Sequence, residues 1–546
     1  MDIQRVLLFI ALTFILLLIW QAWYDEQRAT APQPVPTEEA GPPAAGDVPE
    51  RPRAEAAPDQ DTVPTVAARG ALPRAERVRV RTDVYDLTID TVGGDIREVL
   101  LLEYPVSPRE PDNPYRLMND TGYWLFVAQN GLLPGAEGVT APDHYAQFQA
   151  EQSQYTLAQG ADTLQVPLRW EGDGVAVTKT YTFRRGSYLV DVDVRVENAG
   201  AEPWRGHFYR QLQRTEQVGE DTPWFIYTYS GGVISTAERR YEKISFSDMR
   251  DDLSLTTQGG WTAMIQHYFL GAWIPEQEQR NHFYTRTLNG ARYVIGMVSP
   301  EAVVEPGGEH NFHSELFVGP KLQDQLREAA PHLELTVDYG FLTLLSNPLF
   351  WLLEKIYNLV GNWGWAIVIL TVMIKLLFYK PSAISYRSMA KMRRVHPRLL
   401  ALKERFGDDR QKLNQAMMDL YKTEKINPLA GCLPILIQIP VFIALYWVLL
   451  ESVELRQADF VLWINDLSAR DPFYVLPILM GLTMLVQQKL NPAPLDPIQA
   501  KVLMILPIVF TVFFAFFPAG LVLYWVVNNT ISIAQQWYVT RHVVKA

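Results

Sequence analysis

Between Trp363 and Tyr538 five apolar runs follow one another, Trp363–Tyr379, Cys432–Leu450, Phe473–Gln488, Leu503–Phe517 and Leu521–Tyr538, and none contains an aspartate or glutamate. Backbone amides find no water in a bilayer core, so runs of this kind are stable there only as helices that close their own hydrogen bonds. Several are shorter than the roughly 20 residues that a standard hydrocarbon core requires. The bilayer must thin around them, or their polar flanks must lie at its edge. A sixth run, Val6–Trp23, follows Arg5. It reads as a signal anchor (1–23) or as a cleaved signal peptide. The nearest small-x-small triplet, Ala29-Thr30-Ala31, lies beyond Asp25, Glu26 and Arg28 and precedes Pro32, which favours an uncleaved anchor.

Charge orients these spans. The loop Lys380–Lys425 holds twelve Lys and Arg, whereas Glu451–Asp471 is net acidic. Cationic loops stay in the cytoplasm, so with six spans both termini are expected there. The long segment after the anchor is then periplasmic, and the chain sits in a bacterial inner membrane. The formal charge of -11 conceals this asymmetry, because acidic residues gather in the first 340 positions. Within the basic loop, 381–425, the helix-rich stretches Ile384–Phe406 and Gln411–Tyr421 predict a hairpin meeting at Gly407-Asp408-Asp409. Its Lys391, Arg393, Arg394 and Arg398 can engage lipid phosphates or RNA by charge alone. A solvated positive-inside loop is the plainer reading, and no module for sequence-specific nucleic-acid recognition is present. A short cytoplasmic tail, 542–546, is expected to follow.

Residues 24–76 are rich in Pro, Ala and Glu and poor in large apolar side chains. They cannot bury enough surface to offset the entropy of ordering and read as a disordered linker. From 77 to 335 the apolar pattern has period two. Val190, Val192, Val194 and Val196 alternate with Asp191, Asp193 and Arg195, and similar runs recur at Val78–Asp90, Val175–Phe183 and Tyr293–Val298. Arg185-Gly186-Ser187 supplies a hairpin turn. An antiparallel β-sandwich follows, and with one cysteine in the chain, Cys432, it has no internal disulfide. Its tryptophans (Trp124, Trp170, Trp204, Trp224, Trp261, Trp273) can line a sugar site, or they belong to the core and rim.

Residues 340–361 read as an amphipathic helix on the membrane surface. Asn347 is the expected cap and Pro348 the first turn, with Leu349, Leu352, Leu353, Ile356 and Val360 on one face. Packing against the sandwich is the alternative.

Polar groups inside apolar spans must face protein or water. Lys375 lies five residues before Lys380, about 7–8 Å inside the membrane at 1.5 Å per residue, with Thr371 one turn earlier. Gln438 enters the next span to a similar depth. Asn528, Ser532 and Gln535 share one helical face, with Asn529 and Gln536 beside it, and Thr511 and Gln487 add to the set. Most of these groups lie in the cytoplasmic half, which describes a wet concavity closed toward the periplasm. Lys375 then receives something anionic from the cytoplasm, or it snorkels to nearby headgroups. A proton-coupled carrier needs intramembrane acids and a channel needs polarity throughout, and neither pattern is present. A glycan receptor anchored by a helical bundle and a solute transporter are the competing classes. No Walker loop, His-rich metal cluster or nucleophile elbow occurs, so no catalysis, cofactor or metal is expected. Leu429-Ala430-Gly431-Cys432 spells a lipobox, but it lies deep in the chain without a preceding signal.

Six segments carry a resemblance: Gly361-Asn362-Trp363-Gly364, Ser388-Met389-Ala390-Lys391-Met392, Asn427-Pro428-Leu429 through Gln438-Ile439-Pro440, Ser452 to Ala458, Leu476 to Gly481, and Phe517-Pro518-Ala519-Gly520 through Tyr524. With them the chain resembles the YidC-type membrane protein insertases of Gram-negative bacteria. The resemblance implies a multi-domain membrane protein, with an α-helical insertase core of five transmembrane helices (362–541), an amino-terminal anchor helix and a periplasmic β-supersandwich. It implies work on nascent membrane proteins, alone or beside the Sec translocon and its accessory subunits, through a hydrophilic groove open to cytoplasm and lipid. The family's groove arginine aligns with Lys375, which keeps the charge but lacks the planar fork. Gln438, Tyr524 and Trp525 match groove or substrate-contacting positions. Without a long basic tail, the hairpin becomes the expected weak contact for a ribosome.

Overall fold

The structure is a computed structural model that describes residues 72, 74–121, 124–216, 228–288, 292–406, 409–424, 426, 433–491 and 497–543. The anchor, nearly all of the linker, Trp224, Gly407 and Asp408, the stretch 427–432 and the last three residues lie outside the described residues. The chain divides into two compact units, one reaching Thr336 and one beginning at Val337.

Period-two patterning builds the first unit. Its described strands form sheets of eleven and nine strands. Neighbours pair antiparallel, with a parallel exception between Arg77–Arg81 and Gln154–Thr156. In the smaller sheet, strand Leu189–Asn198 buries Val190, Val192, Val194 and Val196 and exposes Arg195. The turn before it uses Gly186 at φ 69°, a conformation that costs glycine little. The outer face of this strand is drier than its alternation predicts, because Asp191 is buried with Arg184 at 2.7 Å.

Four of the candidate tryptophans, all among the described residues, are engaged within the fold. Trp261 and Trp273 are fully buried and donate to the carbonyls of Pro331 and Gln211, both at 3.0 Å. Trp170 and Trp204 lie over Gly172 and Gly206 of their own strands, where a Cβ would meet the ring at 2.6 and 2.5 Å. Aromatic area covers glycine backbone there.

The second unit is helical: Thr343–Val360, Trp363–Leu377, Tyr379–Phe406, Arg410–Thr423, Leu433–Glu451, Val475–Leu490, Pro497–Phe514 and Ala519–Tyr538. Its first helix corrects the sequence reading, since it starts at Thr343 after a 3-10 turn and places Pro348 inside, with Asn347 no cap. The Thr343 hydroxyl bonds to the Gly340 carbonyl at 2.6 Å and anchors the earlier start. Leu349, Phe350, Leu353 and Ile356 are buried, whereas Leu344, Trp351, Leu359 and Val360 are exposed, so Val360 leaves the expected apolar face and large apolar side chains stand on both sides of the helix. Gly361 closes it at φ 68°, and Asn362 caps the next helix by accepting from the Trp365 amide at 3.0 Å.

At Phe378 the chain bends by 67° between Trp363–Leu377 and Tyr379–Phe406. The hairpin helix therefore begins at Tyr379, earlier than the expected Ile384. Asp409 caps the return helix on the amides of Gln411 and Lys412. Val395, Leu399 and Ile426 pack between the two arms, and Arg398 pairs with Glu424 at 2.6 Å. Among the described residues no single helix is long and apolar enough to cross a membrane by itself, though the bent pair passes together. Ile437–Glu451, Val475–Leu490 and Ala500–Phe514 are apolar and short.

Candidate functional site

Lys375 stands near the end of the Trp363–Leu377 helix, just before the bend, and is 9 % exposed. Its ammonium turns inward. Nζ donates to Ser532 Oγ at 2.7 Å and to Gln438 Oε1 at 3.3 Å, so three helices meet on one cation. The Gln438 amide donates to the Tyr524 hydroxyl at 3.3 Å and to the Asn528 side chain. Ser532 donates onward to the Asn528 carbonyl at 2.8 Å. Helical periodicity explains the convergence, because Tyr524, Asn528 and Ser532 lie four apart and so share a face.

The remaining predicted residues take other places. Gln535 donates to the Tyr379 carbonyl at 3.1 Å, tying the last helix to the bend. Thr371 is buried, and its hydroxyl returns to the Ile367 carbonyl of its own helix at 2.7 Å, outside the network. Trp525 packs among Phe442, Phe514 and Tyr524 with centroids at 5.0, 5.9 and 6.5 Å, and its buried indole nitrogen has no hydrogen-bond partner. Asn529 and Gln536 bond to Thr483 and Asn491, away from Lys375. Lys391, Arg393, Arg394 and Arg398 are exposed along the hairpin helix.

Beside Lys375 a cavity of about 20 Å³, room for about one water, is lined by Phe378, Pro381, Ser382, Ile437, Gln438 and Val441 among others. Ser382 and Pro381 are absent from the sequence-based set. Their place follows from the bend at Phe378, which the sequence marks only by Pro381 in the first turn of the helix Tyr379–Phe406. Among the described residues no carboxylate pairs with Lys375. Its partners are neutral dipoles on side chains, an arrangement that stabilises a cation incompletely and leaves its charge uncompensated.

Family profiles cover both units. The description "YidC periplasmic domain" matches residues 77–352 and "60Kd inner membrane protein" matches 355–546. The membrane protein insertase YidC of Alkalilimnicola ehrlichii is 56 % identical over 99 % of this chain and 96 % of its own. That of Thioalkalivibrio sulfidiphilus is 54 % identical over 100 % and 99 %. The chain belongs to the YidC family of membrane protein insertases. A solved structure described as an active YidC insertase with its first transmembrane domain resolved is similar at 18 % identity and TM-score 0.39, covering 85 % of this chain and 93 % of that one. In this family member the β-sandwich is thus the periplasmic domain and the helical unit the inner-membrane part.

Proposed function

We propose that this chain inserts and folds inner-membrane proteins by receiving the polar or acidic flank of an incoming segment at Lys375. The observation that carries the reading is the cation itself, buried among Gln438, Ser532 and their neighbours with no carboxylate among the described residues to neutralise it. Five helices, Trp363–Leu377, Leu433–Glu451, Val475–Leu490, Pro497–Phe514 and Ala519–Tyr538, cross the membrane, and their short apolar lengths thin the bilayer locally. A charge at the bilayer centre costs about 2.5–3.5 kcal/mol on insertion scales. Neutral dipoles and a water-sized space beside a fixed cation lower that step. The apolar segment then moves into lipid past Tyr524 and Trp525, driven by its own burial. The process makes no covalent bond and needs no nucleotide.

Nascent membrane proteins are the clients. Both termini and the hairpin face the cytoplasm, where the exposed Lys391, Arg393, Arg394 and Arg398 meet lipid phosphates and, weakly, a ribosome. Cooperation with the Sec translocon and its accessory subunits belongs to the same reading. The inward hydrogen bonds of Lys375 count against a snorkelling anchor, which would extend toward headgroups.

The test compares client pairs that differ only in flank charge, inserted into vesicles holding matched amounts of the protein. Lys375→Arg is expected to retain insertion. Lys375→Ala lowers insertion of acidic-flanked clients about tenfold, equivalent to ~1.4 kcal/mol, and Lys375→Glu lowers it further, while neutral clients change little. Equal insertion of acidic and neutral clients by the Ala and Glu variants, at unaltered rates, would overturn the reading.

A further inference from the structure

In the periplasmic domain Asp191 and Glu315 are directly opposed across strands Leu189–Asn198 and Glu309–Pro320, as are Asp193 and His313. Residues two apart on a strand share a face, so the four side chains stand together on one side of the smaller sheet. Potential ligand atoms of Asp191, His313 and Glu315 lie within 4.8 Å of one another. Like charges facing each other across an antiparallel pair destabilise it.

Two further features distinguish this cluster from a patch of surface acids. Asp191 is 6 % exposed, and its Oδ2 is buried. The Arg184 Nη2 lies 2.7 Å from that oxygen, as an ion pair from a half-exposed side chain. On the other side, His313 Nδ1 is 3.0 Å from Asp193 Oδ1, which also accepts from Asn311 at 2.9 Å. A carboxylate on one ring nitrogen holds the proton there and leaves the lone pair of the other free, the way metal-bound histidines are oriented.

We propose that Asp191, His313 and Glu315 bind a divalent zinc-type ion on the periplasmic domain, with Asp193 as the residue that positions His313. One imidazole and two carboxylates suit Zn²⁺, with water as the fourth ligand. Bonds of about 2.0–2.2 Å place tetrahedral ligand atoms roughly 3.3–3.6 Å apart. Rotamer changes of His313 and Glu315, both only partly buried, close the remaining distance over a fixed cross-strand register. The ion relieves the opposed carboxylates and displaces Arg184 from Asp191.

The full chain, purified in detergent, freed of any affinity tag and stripped with a chelator, is titrated with Zn²⁺ against a chromophoric competitor, and with Co²⁺ as a spectroscopic probe. One ion per chain is expected, with a tetrahedral Co²⁺ absorption band. His313→Ala removes the band and weakens Zn²⁺ at least tenfold. Asp193→Asn, which keeps every ligand, weakens it about tenfold, the lower end of the usual loss for such supporting groups. Arg184→Ala, with its competitor cation gone, tightens it. No retained Zn²⁺ in the unaltered chain, or equal affinity in His313→Ala, would overturn the site. Far-ultraviolet circular dichroism of each variant separates loss of a ligand from loss of fold.

Discussion

Lys179 in the sheet unit and Lys375 in the helical unit are both withdrawn from water, and their surroundings are built on opposite plans. Lys179, with 0 % exposure, donates to the carbonyls of Gly93 and Asn130 at 2.6 and 2.7 Å and lies over the Phe148 ring. The buried Asp95 carboxylate acts on it electrostatically and is itself engaged by Arg97 at 3.1 Å and Gln129 at 3.2 Å. Those partners are backbone groups fixed by the sheet, or charges of the opposite sign. Among the described residues Lys375 has only side-chain dipoles as partners, contributed by two other helices, which can rotate away. A closed network spends its charges on the fold, whereas an open one leaves a charge available to a visitor. The first plan holds a domain in shape, and the second suits the receiving role proposed for Lys375.

The largest effect is expected where the closed network loses its anion. Asp95→Ala leaves Arg97 and Lys179 buried without their carboxylate, and breaking such a pair costs about 3–5 kcal/mol. Tryptophan fluorescence during urea unfolding of the full chain reads this, since Trp261 and Trp273 are buried in the same unit. Insertion by the variant, measured where it is still folded, is expected to be unchanged. A parallel loss of insertion would break the contrast, because the closed network would then serve the clients too.

The two plans were also unequally legible in the sequence. The open network could be read ahead of the fold, because a lysine, a glutamine and an i, i+4, i+7 polar face stand out against apolar spans. Its finer geometry could not. The bend at Phe378 that brings Ser382 toward Lys375 is marked only by Pro381, which signals a new helix start and not its angle, and Thr371 shares the helical face of Lys375 yet bonds to its own backbone. In the sheet unit, alternation revealed which strands exist but not their partners. Asp95 meets Gln129, and Asp191 meets Glu315, only through pairings across 34 and more than 100 residues. Periodicity within a window carries no information at that range, so the buried charges and the carboxylate–histidine cluster stayed hidden. The early start of the Thr343–Val360 helix was missed because Pro348 suggests a first turn, whereas the preceding 3-10 turn sets it.

A smaller effect follows from alkaline titration. Burial lowers Lys179 from 10.5 to about 8 in the fold, against the partial support of Asp95 and Asp143. Its folded value is the depressed one, so between about 8 and 10.5 the unfolded chain binds more protons and stability rises with pH. At about 1.4 kcal/mol per pH unit, the gain from pH 8 to 9 approaches ~1 kcal/mol. Comparing the slope of the unfolding free energy over pH 8–9 in the unaltered chain and in Lys179→Met isolates the lysine. Equal slopes would show that the Lys179 network is wetter than its burial implies, and the contrast with Lys375 would narrow.

The smallest effect sharpens the comparison most directly. Ser532 is the shorter of the two side-chain contacts to Lys375, at 2.7 Å against 3.3 Å for Gln438. In a closed network, removing such a partner only weakens the structure. In an open one, Ser532→Ala leaves the ammonium less well satisfied by the protein and therefore more receptive to an arriving carboxylate. A hydrogen bond to a charged group is worth about 1.5–3 kcal/mol, much of which water in the neighbouring cavity replaces. The expected outcome is a rise of about twofold to fivefold in the preference for acidic-flanked over neutral clients, opposite in sign to Lys375→Ala. Since Ser532 acts through the cation, Lys375→Ala with Ser532→Ala together behave as Lys375→Ala alone, the non-additivity expected of residues in contact. If Ser532→Ala lowers acidic-client insertion as Lys375→Ala does, the serine holds the cation in its working position, and the network is closed after all. If the two changes add, Ser532 touches clients by a route that does not pass through Lys375.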